Sequence, residues 1–168
     1  CNIVPLAAAY TDQIREQISA WIHIHIPEWS SFQILPYAKY LGFELGPDAG
    51  QHQWTKPIET YKTRTHKFAH SKSPYPIACY NYNNKAIPVL QYIAQLIPLP
   101  RLFHQSEKGM LHVLLHVPHN SFPLKALHAL PVCGGPALTS VSSSCAASRI
   151  RAGLSTLTGW RLLFKLML

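Results

Sequence analysis

Charged residues are scarce in this sequence, and the acidic ones are confined to part of it. Charged side chains make up 13% of the 168 residues, whereas hydrophobic side chains make up 48%. The 15 basic residues outnumber the 7 acidic ones, which gives a formal net charge of +8, and no acidic residue follows Glu107. This balance favours an anionic partner, either nucleic acid or a membrane surface, and carries no information about the fold.

Long apolar runs and closely spaced cysteines are also lacking. No segment approaches the roughly 20 apolar residues of a membrane-spanning helix, and no signal-peptide pattern is present. We therefore expect no membrane partner and an intracellular location, nuclear or cytoplasmic. No C-x-x-C spacing occurs, which predicts free thiols in a reducing compartment rather than a disulfide framework or a zinc site. The cysteines are Cys1, Cys79, Cys133 and Cys145.

The residue patterns of common catalytic and metal sites are missing. No two acidic residues are adjacent, no G-x-S-x-G elbow surrounds a serine, and Gly134-Gly135 lacks the G-K-[ST] continuation of a phosphate loop. His112 and His116 would share a helical face, but no nearby Glu, Asp or Cys supplies a further zinc ligand. We predict no catalytic and no metal-binding residue in this chain.

The order of elements predicts an α+β chain that begins with a strand-helix-hairpin unit. An apolar strand is expected at residues 2–6, and a helix capped by Thr11 follows it. Residues 32–35 and 38–45 show strand-like patterns on either side of Pro36, which predicts a hairpin at that proline.

A mainly helical region is expected after this unit. An apolar stripe at three- and four-residue spacing is formed by Trp54, Ile58, Tyr61, Thr65 and Phe68. The stripe predicts a helix over residues 55–71. Residues 85–96 and 102–117 predict two apolar helices packed on each other, and residues 122–130 predict a weaker one. Residues 137–152 are rich in serine and other small residues.

The segment Lys39-Tyr40-Leu41-Gly42 is the first candidate for nucleic-acid binding. Strand alternation would place Lys39 and Leu41 on one face with Phe43, and Tyr40 and Gly42 on the other. Glycine in a strand lets a second backbone approach closely, and that backbone could belong to a nucleic-acid strand. An ordinary half-buried hairpin is the alternative interpretation.

The second candidate is the basic surface of the 55–71 helix. Its cations are opposed only by Glu59, and they could bind phosphates without reading bases. A solvated basic face is the alternative. The cations concerned are Lys56, Lys62, Arg64 and Lys67.

Taken in order, these features resemble the region that follows the catalytic palm in reverse transcriptases of non-LTR (LINE-type) retrotransposons. The resemblance covers residues 1–120. It is carried by Ile3-Val4-Pro5, the helix through Trp21, Lys39 to Gly42, Trp54, the basic stretch from Lys56 to Lys67, and Pro88-Val89-Leu90-Gln91-Tyr92-Ile93-Ala94-Gln95. It implies the end of a palm with a primer-grip-like hairpin at 1–46, a thumb-like helical region at 47–120 and a helical extension at 121–168.

The resemblance further implies the template-primer-binding portion of an RNA-directed DNA polymerase, not catalytic by itself. Its partners would be an RNA–DNA or DNA primer-template and the rest of the palm. The catalytic carboxylates and their Mg²⁺ ions would lie upstream of Cys1 in the parent polymerase, so no cofactor is expected in this chain. The nucleic-acid contacts would come from Lys39, Tyr40, Leu41, Gly42, Lys56, Lys62, Arg64 and Lys67.

Two other interpretations of the sequence stay open. The chain could be a standalone small basic module with a closed core that binds nucleic acid or a membrane surface. It could also be a non-functional remnant of a retroelement, which would fold weakly and bind no specific ligand. The tail from Trp160 to Leu168 fits either a packing helix or an interfacial membrane helix.

Overall fold

A computed structural model describes residues 2–5, 10–71 and 73–154. Over these ranges the chain is mostly helical with a few short strands, which confirms the predicted α+β class. The chain divides into two compact units, Cys1–Lys56 (unit 1) and Pro57–Leu168 (unit 2). The divisions that the sequence suggests after residues 46 and 120 stay predictions. The predicted tail from Trp160 lies outside the described residues.

Unit 1 begins with a strand, a helix and a second strand. Strand β1 (Asn2–Ile3) pairs in parallel with β2 (Gln33–Ile34), and helix α1 (Asp12–His25) lies between them in sequence. Parallel strands require such a crossover connection. The predicted cap of α1 is confirmed, since Thr11 Oγ1 accepts a hydrogen bond from the backbone N–H of Ile14 at 3.3 Å. A short 3₁₀ turn follows α1.

The hairpin of unit 1 lies later in the sequence than predicted. Strands β3 (Ala38–Tyr40) and β4 (Phe43–Leu45) are antiparallel. The chain reverses at Leu41 and Gly42, whose φ angles are 47° and 90°, as a two-residue hairpin turn with positive φ at both positions requires. The prediction of a hairpin around Pro36 is wrong, because alternation alone cannot distinguish one long strand from two short strands joined by two residues.

A short helix and the residues after it complete unit 1. Helix α2 (Ala49–His52) is followed by Gln53, whose side-chain Oε1 accepts a hydrogen bond from the backbone N–H of Glu44 at 2.6 Å. This bond connects the end of α2 to β4. The next residue, Trp54, is buried and provides the largest apolar side chain in the core of this unit.

Unit 2 contains the remaining helices. The first, α3 (Thr55–Ala69), begins at the division between the units, and its predicted inner face is confirmed because Tyr61 and Thr65 are fully buried. The others are α4 (Tyr75–Asn81), a π-helical turn (Tyr82–Ala86), α5 (Ile87–Ala94), α6 (Phe103–Leu114), α7 (Leu124–His128), a 3₁₀ turn (Leu130–Cys133) and α8 (Val141–Leu154).

The π-helical turn is bonded to two other parts of unit 2. The hydroxyl of Tyr82 is 3.0 Å from that of Tyr61 on α3. The side-chain amide of Asn83 donates to the carbonyl of Ala137 at 2.8 Å and accepts from the backbone N–H of Thr139 at 3.0 Å. These bonds fix α3 and the segment before α8 around the turn.

Outside its own continuous run, helix α5 packs mainly against α8 among the described helices. The sequence predicted instead that it would pack on the helix over 102–117, which the structure describes as α6. The residues that α8 buries include the small side chains of Ser144, Cys145 and Ser148, and small side chains at a helix contact allow the axes to approach closely. No described helix is both long enough and apolar enough to cross a membrane.

Candidate nucleic-acid interface

The hairpin residues predicted to bind nucleic acid lie together at the tip of β3 and β4. Lys39 and Tyr40 end β3, and Leu41 and Gly42 form the turn. Tyr40 is 63% exposed and Leu41 73% exposed, and Lys39 is exposed as well. The tip therefore presents one cation and two large apolar side chains to solvent.

The observed turn changes which side chains share a face of the hairpin. Residues directly opposite each other in an antiparallel pair lie on the same face. Lys39 is opposite Glu44, and Tyr40 is opposite Phe43. The expectation that Lys39 and Phe43 share a face is therefore wrong, and Lys39 is paired across the two strands with an acidic residue.

Gly42 has a different role from the one the sequence suggested. It was expected to let a nucleic-acid backbone come close to a strand. In the structure it is the second residue of the turn, with φ at 90°, where a side chain would be strained. The turn alone accounts for this glycine.

A groove of about 420 Å³ lies beside the hairpin. Asn2 and Val4 line one part of it, and Lys39, Tyr40 and Leu45 line another. It offers an ammonium group, an exposed aromatic ring and a side-chain amide. Aromatic stacking together with a cation is the usual means of holding an unpaired nucleotide without reading its sequence.

The four predicted cations of α3 do not form a single stripe. All four are exposed. Lys56 and Lys67 are about three helical turns apart and share the outer face, whereas Lys62 and Arg64 fall on its opposite flanks. A duplex lying along the outer face would meet Lys56 and Lys67 first.

Arg64 has a structural contact in addition to its exposure. Its Nη1 donates a hydrogen bond to the backbone carbonyl of Lys85, in the π-helical turn, at 2.6 Å. This bond uses one of the five N–H donors of the guanidinium. Because the group is held at one edge, its remaining donors are oriented before any ligand arrives.

The two units differ strongly in charge. Unit 1 contains three basic and five acidic residues, a net charge of −2. Unit 2 contains twelve basic and two acidic residues, a net charge of +10. Lys62, Arg64 and Lys67 belong to the basic unit, whereas the hairpin residues and Lys56 belong to unit 1. The electrostatic attraction for a polyanion therefore resides in unit 2.

The histidine pair considered as a metal site has other partners. His112 is buried, its Nδ1 is 2.7 Å from the carbonyl of Lys108, and its Nε2 accepts from the backbone N–H of Phe122 at 3.3 Å. The Nε2 of His116 is 2.8 Å from the carbonyl of Ala69. In the described ranges, no three His, Cys, Asp or Glu side chains are grouped so that they could hold a metal ion.

A buried carboxylate in unit 2 was missed by the sequence analysis. Glu107 on α6 is 0% exposed, and its Oε1 accepts a hydrogen bond from the backbone N–H of Val141, the first residue of α8, at 2.8 Å. The Nε2 of His128 lies 3.4 Å from the same oxygen. Burial raises the pKa of Glu107, and the bond from Val141 and the nearby His128 partly offset this effect. Nothing in the local sequence around Glu107 indicates burial, because its partners are distant in sequence.

Comparison with known proteins identifies no relative. No family model matches this sequence, and no significant match is found among curated proteins or solved structures.

Proposed function

We propose that this chain is the template-primer-binding portion of a reverse-transcriptase-type polymerase and is not catalytic by itself. The observation that carries the proposal is the net charge of +10 on unit 2. Its cations would neutralise backbone phosphates and release the counterions condensed on them, which supplies affinity independent of sequence. The protein would act in the nucleus or the cytoplasm, where such a template is found.

Helix α3 would hold the duplex backbone. Lys56 and Lys67 would contact phosphates from the outer face, and Lys62 from one flank. Arg64 would use the donors left free by its bond to Lys85, since a guanidinium can hold a phosphate through two parallel bonds.

The hairpin would hold the end of the primer. Unit 1 has a net charge of −2, so a purely electrostatic role does not suit this hairpin. Tyr40 would stack on a terminal base, Lys39 would contact its phosphate, and the turn at Leu41 and Gly42 would border the groove. This assignment predicts that the hairpin contributes preference for a primer end rather than overall affinity.

The rest of a palm would be the protein partner of unit 1. Parallel sheets are normally buried and covered on both faces, yet β1 and β2 form a sheet of only two strands within the described residues. Trp21 and Ile24 on α1 are 53% and 75% exposed. Additional palm strands and helices would cover these groups. In such a polymerase Mg²⁺ would be held by carboxylates outside this chain.

A standalone basic module is the second candidate, and the core of unit 2 favours it. Tyr61, Tyr82 and Leu111 are each 0% exposed. Tyr61 packs against Tyr82 and Phe103 of the same unit, so this part of the core forms within unit 2. This candidate predicts polyanion binding without any preference for a primer end.

The proposal is tested by measuring the affinity of the full chain for an RNA–DNA hybrid by fluorescence anisotropy. We expect the double variant Lys62→Ala/Lys67→Ala to weaken binding by about 10-fold. The slope of log affinity against log salt concentration should become shallower by about one for each lysine that is replaced. Arg15→Ala is the matched control, because Arg15 is an exposed cation of unit 1 that lies 3.7 Å from Asp12. Equal affinities of the double variant and the unaltered chain would contradict the role of α3.

A further inference from the structure

A cavity of about 280 Å³ lies in unit 2, between α8 and the segment that joins α5 to α6. The residues that line it include Arg101, His104, Ser142, Cys145, Ala146 and Arg149. The residues from α8 recur at positions three and four apart, so they form one face of that helix. None of these residues was predicted to bind nucleic acid.

The polar groups around this cavity suit an anion. Arg101 and Arg149 are exposed, and neither guanidinium has a hydrogen-bond or ion-pair partner among the described residues. The Nδ1 of His104 is 3.0 Å from the carbonyl of Arg101, which fixes the ring beside that arginine. None of the described residues that line the cavity is acidic.

The inner wall of the cavity does not oppose an anion. Cys145 is buried there, and burial together with the nearby Glu107 raises the pKa of its thiol to about 11, so the thiol stays neutral. Glu107 interacts electrostatically with His104 and Cys145, but it does not line the cavity. The two arginines therefore determine the sign of the cavity.

We propose that this cavity binds a terminal phosphate group, with Arg101 and Arg149 as its two charged clamps and Ser142 as a hydroxyl donor. Two guanidinium groups match the two negative charges of a phosphate monoester, and each can bind it through two parallel hydrogen bonds. The volume lies just below the range typical of pockets for drug-sized ligands, so the cavity suits a phosphate with one attached sugar. The site shares no residue with the template-primer role proposed above.

Two sources could supply this group: the 5′ end of a nucleic-acid strand, or a free phosphate or mononucleotide. Calorimetric titration of the full chain should compare inorganic phosphate, a 5′-phosphorylated trinucleotide and the same trinucleotide with a 5′-hydroxyl. We expect the 5′-phosphorylated trinucleotide to bind at least about 10-fold more tightly than its hydroxyl counterpart, as the loss of charge-assisted hydrogen bonds implies. If inorganic phosphate displaces the 5′-phosphorylated trinucleotide at a concentration similar to that of the trinucleotide, the result supports a free phosphate as the ligand. If it does not displace the trinucleotide, the result supports a strand end.

Two pairs of variants distinguish phosphate binding in this cavity from nonspecific attraction to the basic surface of unit 2. Arg149→Ala should lose the preference for the 5′-phosphate, whereas Arg151→Ala should keep it, because Arg151 donates to Ser148 Oγ and does not line the cavity. Ala146→Phe should block the cavity, whereas Ala147→Phe, at an exposed neighbouring position outside it, should not. Equal binding of the two trinucleotides, or equal losses within either pair, would overturn the proposal. Weak hybrid binding after Lys62→Ala/Lys67→Ala leaves this comparison unaffected, so the two proposals fail separately.

Discussion

At the scale of single residues, backbone conformation at a few positions determines the course of the chain around the hairpin of unit 1. Leu41 and Gly42 both have positive φ, and together they place the hairpin turn. Gly46, directly after β4, has φ at 131°. A Cβ there would collide with the carbonyl oxygen of Pro36 and would lie 2.8 Å from Val4 Cγ1. Only glycine lets the chain pass between these groups.

Replacing Gly46 by alanine should therefore destabilise unit 1. We expect Gly46→Ala to lower the free energy of unfolding by about 2–4 kcal/mol, since backbone strain and steric overlap act together. Gly50→Ala is the matched control, because Gly50 lies in α2 and a Cβ added there would meet open space. Alanine at this position should be neutral or stabilise by up to about 1 kcal/mol. Urea unfolding followed by tryptophan fluorescence measures both. Equal effects of the two substitutions would contradict the steric argument.

At the scale of elements, a carboxylate from α6 fixes the start of α8. Glu107 accepts the first backbone N–H of α8, a group that has no partner within the helix. His128 on α7 approaches the same oxygen, and the Nδ1 of its ring is 3.1 Å from the carbonyl of Leu138. Three helices thus meet at one buried side chain, and the positive end of α8 favours its charged form.

The raised pKa of Glu107 predicts how stability depends on pH. The folded chain keeps this proton at pH values where the unfolded chain, whose pKa is about 4.5, has lost it. The free energy of unfolding should therefore fall as pH rises from about 4.5 through the folded pKa. Glu107→Gln should remove this fall, because glutamine does not titrate and can still accept the N–H of Val141. Urea unfolding across this pH range measures the difference between the two proteins.

Two further variants check the assignment to Glu107. Glu107→Ala leaves the N–H of Val141 and the ring of His128 without this partner, so it should cost about 2–4 kcal/mol. Glu59→Gln, at an exposed acid on α3, should leave the pH profile of the unaltered chain in place. A profile that is unchanged by Glu107→Gln would show that another group controls this pH range.

Local patterns predicted some of these elements, and non-local contacts determined the rest. The stripe through Tyr61 and Thr65 repeats within one helix, so the sequence alone predicted the inner face of α3. The π-helical turn, by contrast, has its hydrogen bonds to residues distant in sequence, such as the bond from Asn83 to Ala137. The packing of α5 against α8 was not predicted, because α8 buries small polar side chains such as Ser144, which in sequence resemble an exposed polar run.

The candidate site was predictable to a similar extent. The sequence of the 55–71 helix predicted a surface of exposed cations, and Lys62 and Lys67 are exposed in the structure. The position of the hairpin turn, the pairing of Lys39 with Glu44 and the bond of Arg64 to Lys85 could not be predicted. Each of them depends on which residues the fold brings opposite one another.

At the scale of the whole molecule, the two units differ in net charge and in the surface features that they carry. Unit 2 holds the net positive charge and the sealed core, and unit 1 holds the hairpin groove and the two-stranded parallel sheet. The proposed function assigns the attraction of a polyanion to unit 2 and the preference for a primer end to unit 1. Binding by unit 2 alone would be shared by any basic module, so only a preference for a primer end distinguishes the polymerase interpretation.

The most direct test is therefore a competition between two RNA–DNA ligands of equal charge, a recessed primer-template and a blunt duplex. If the hairpin holds the primer end, the full chain should favour the recessed ligand several-fold, since stacking of one base contributes about 1–3 kcal/mol. Tyr40→Ala should abolish that preference with little loss of overall affinity, whereas Tyr80→Ala, at another exposed tyrosine, should retain it. Equal binding of the two ligands by the unaltered chain would contradict template-primer binding and favour a standalone basic module.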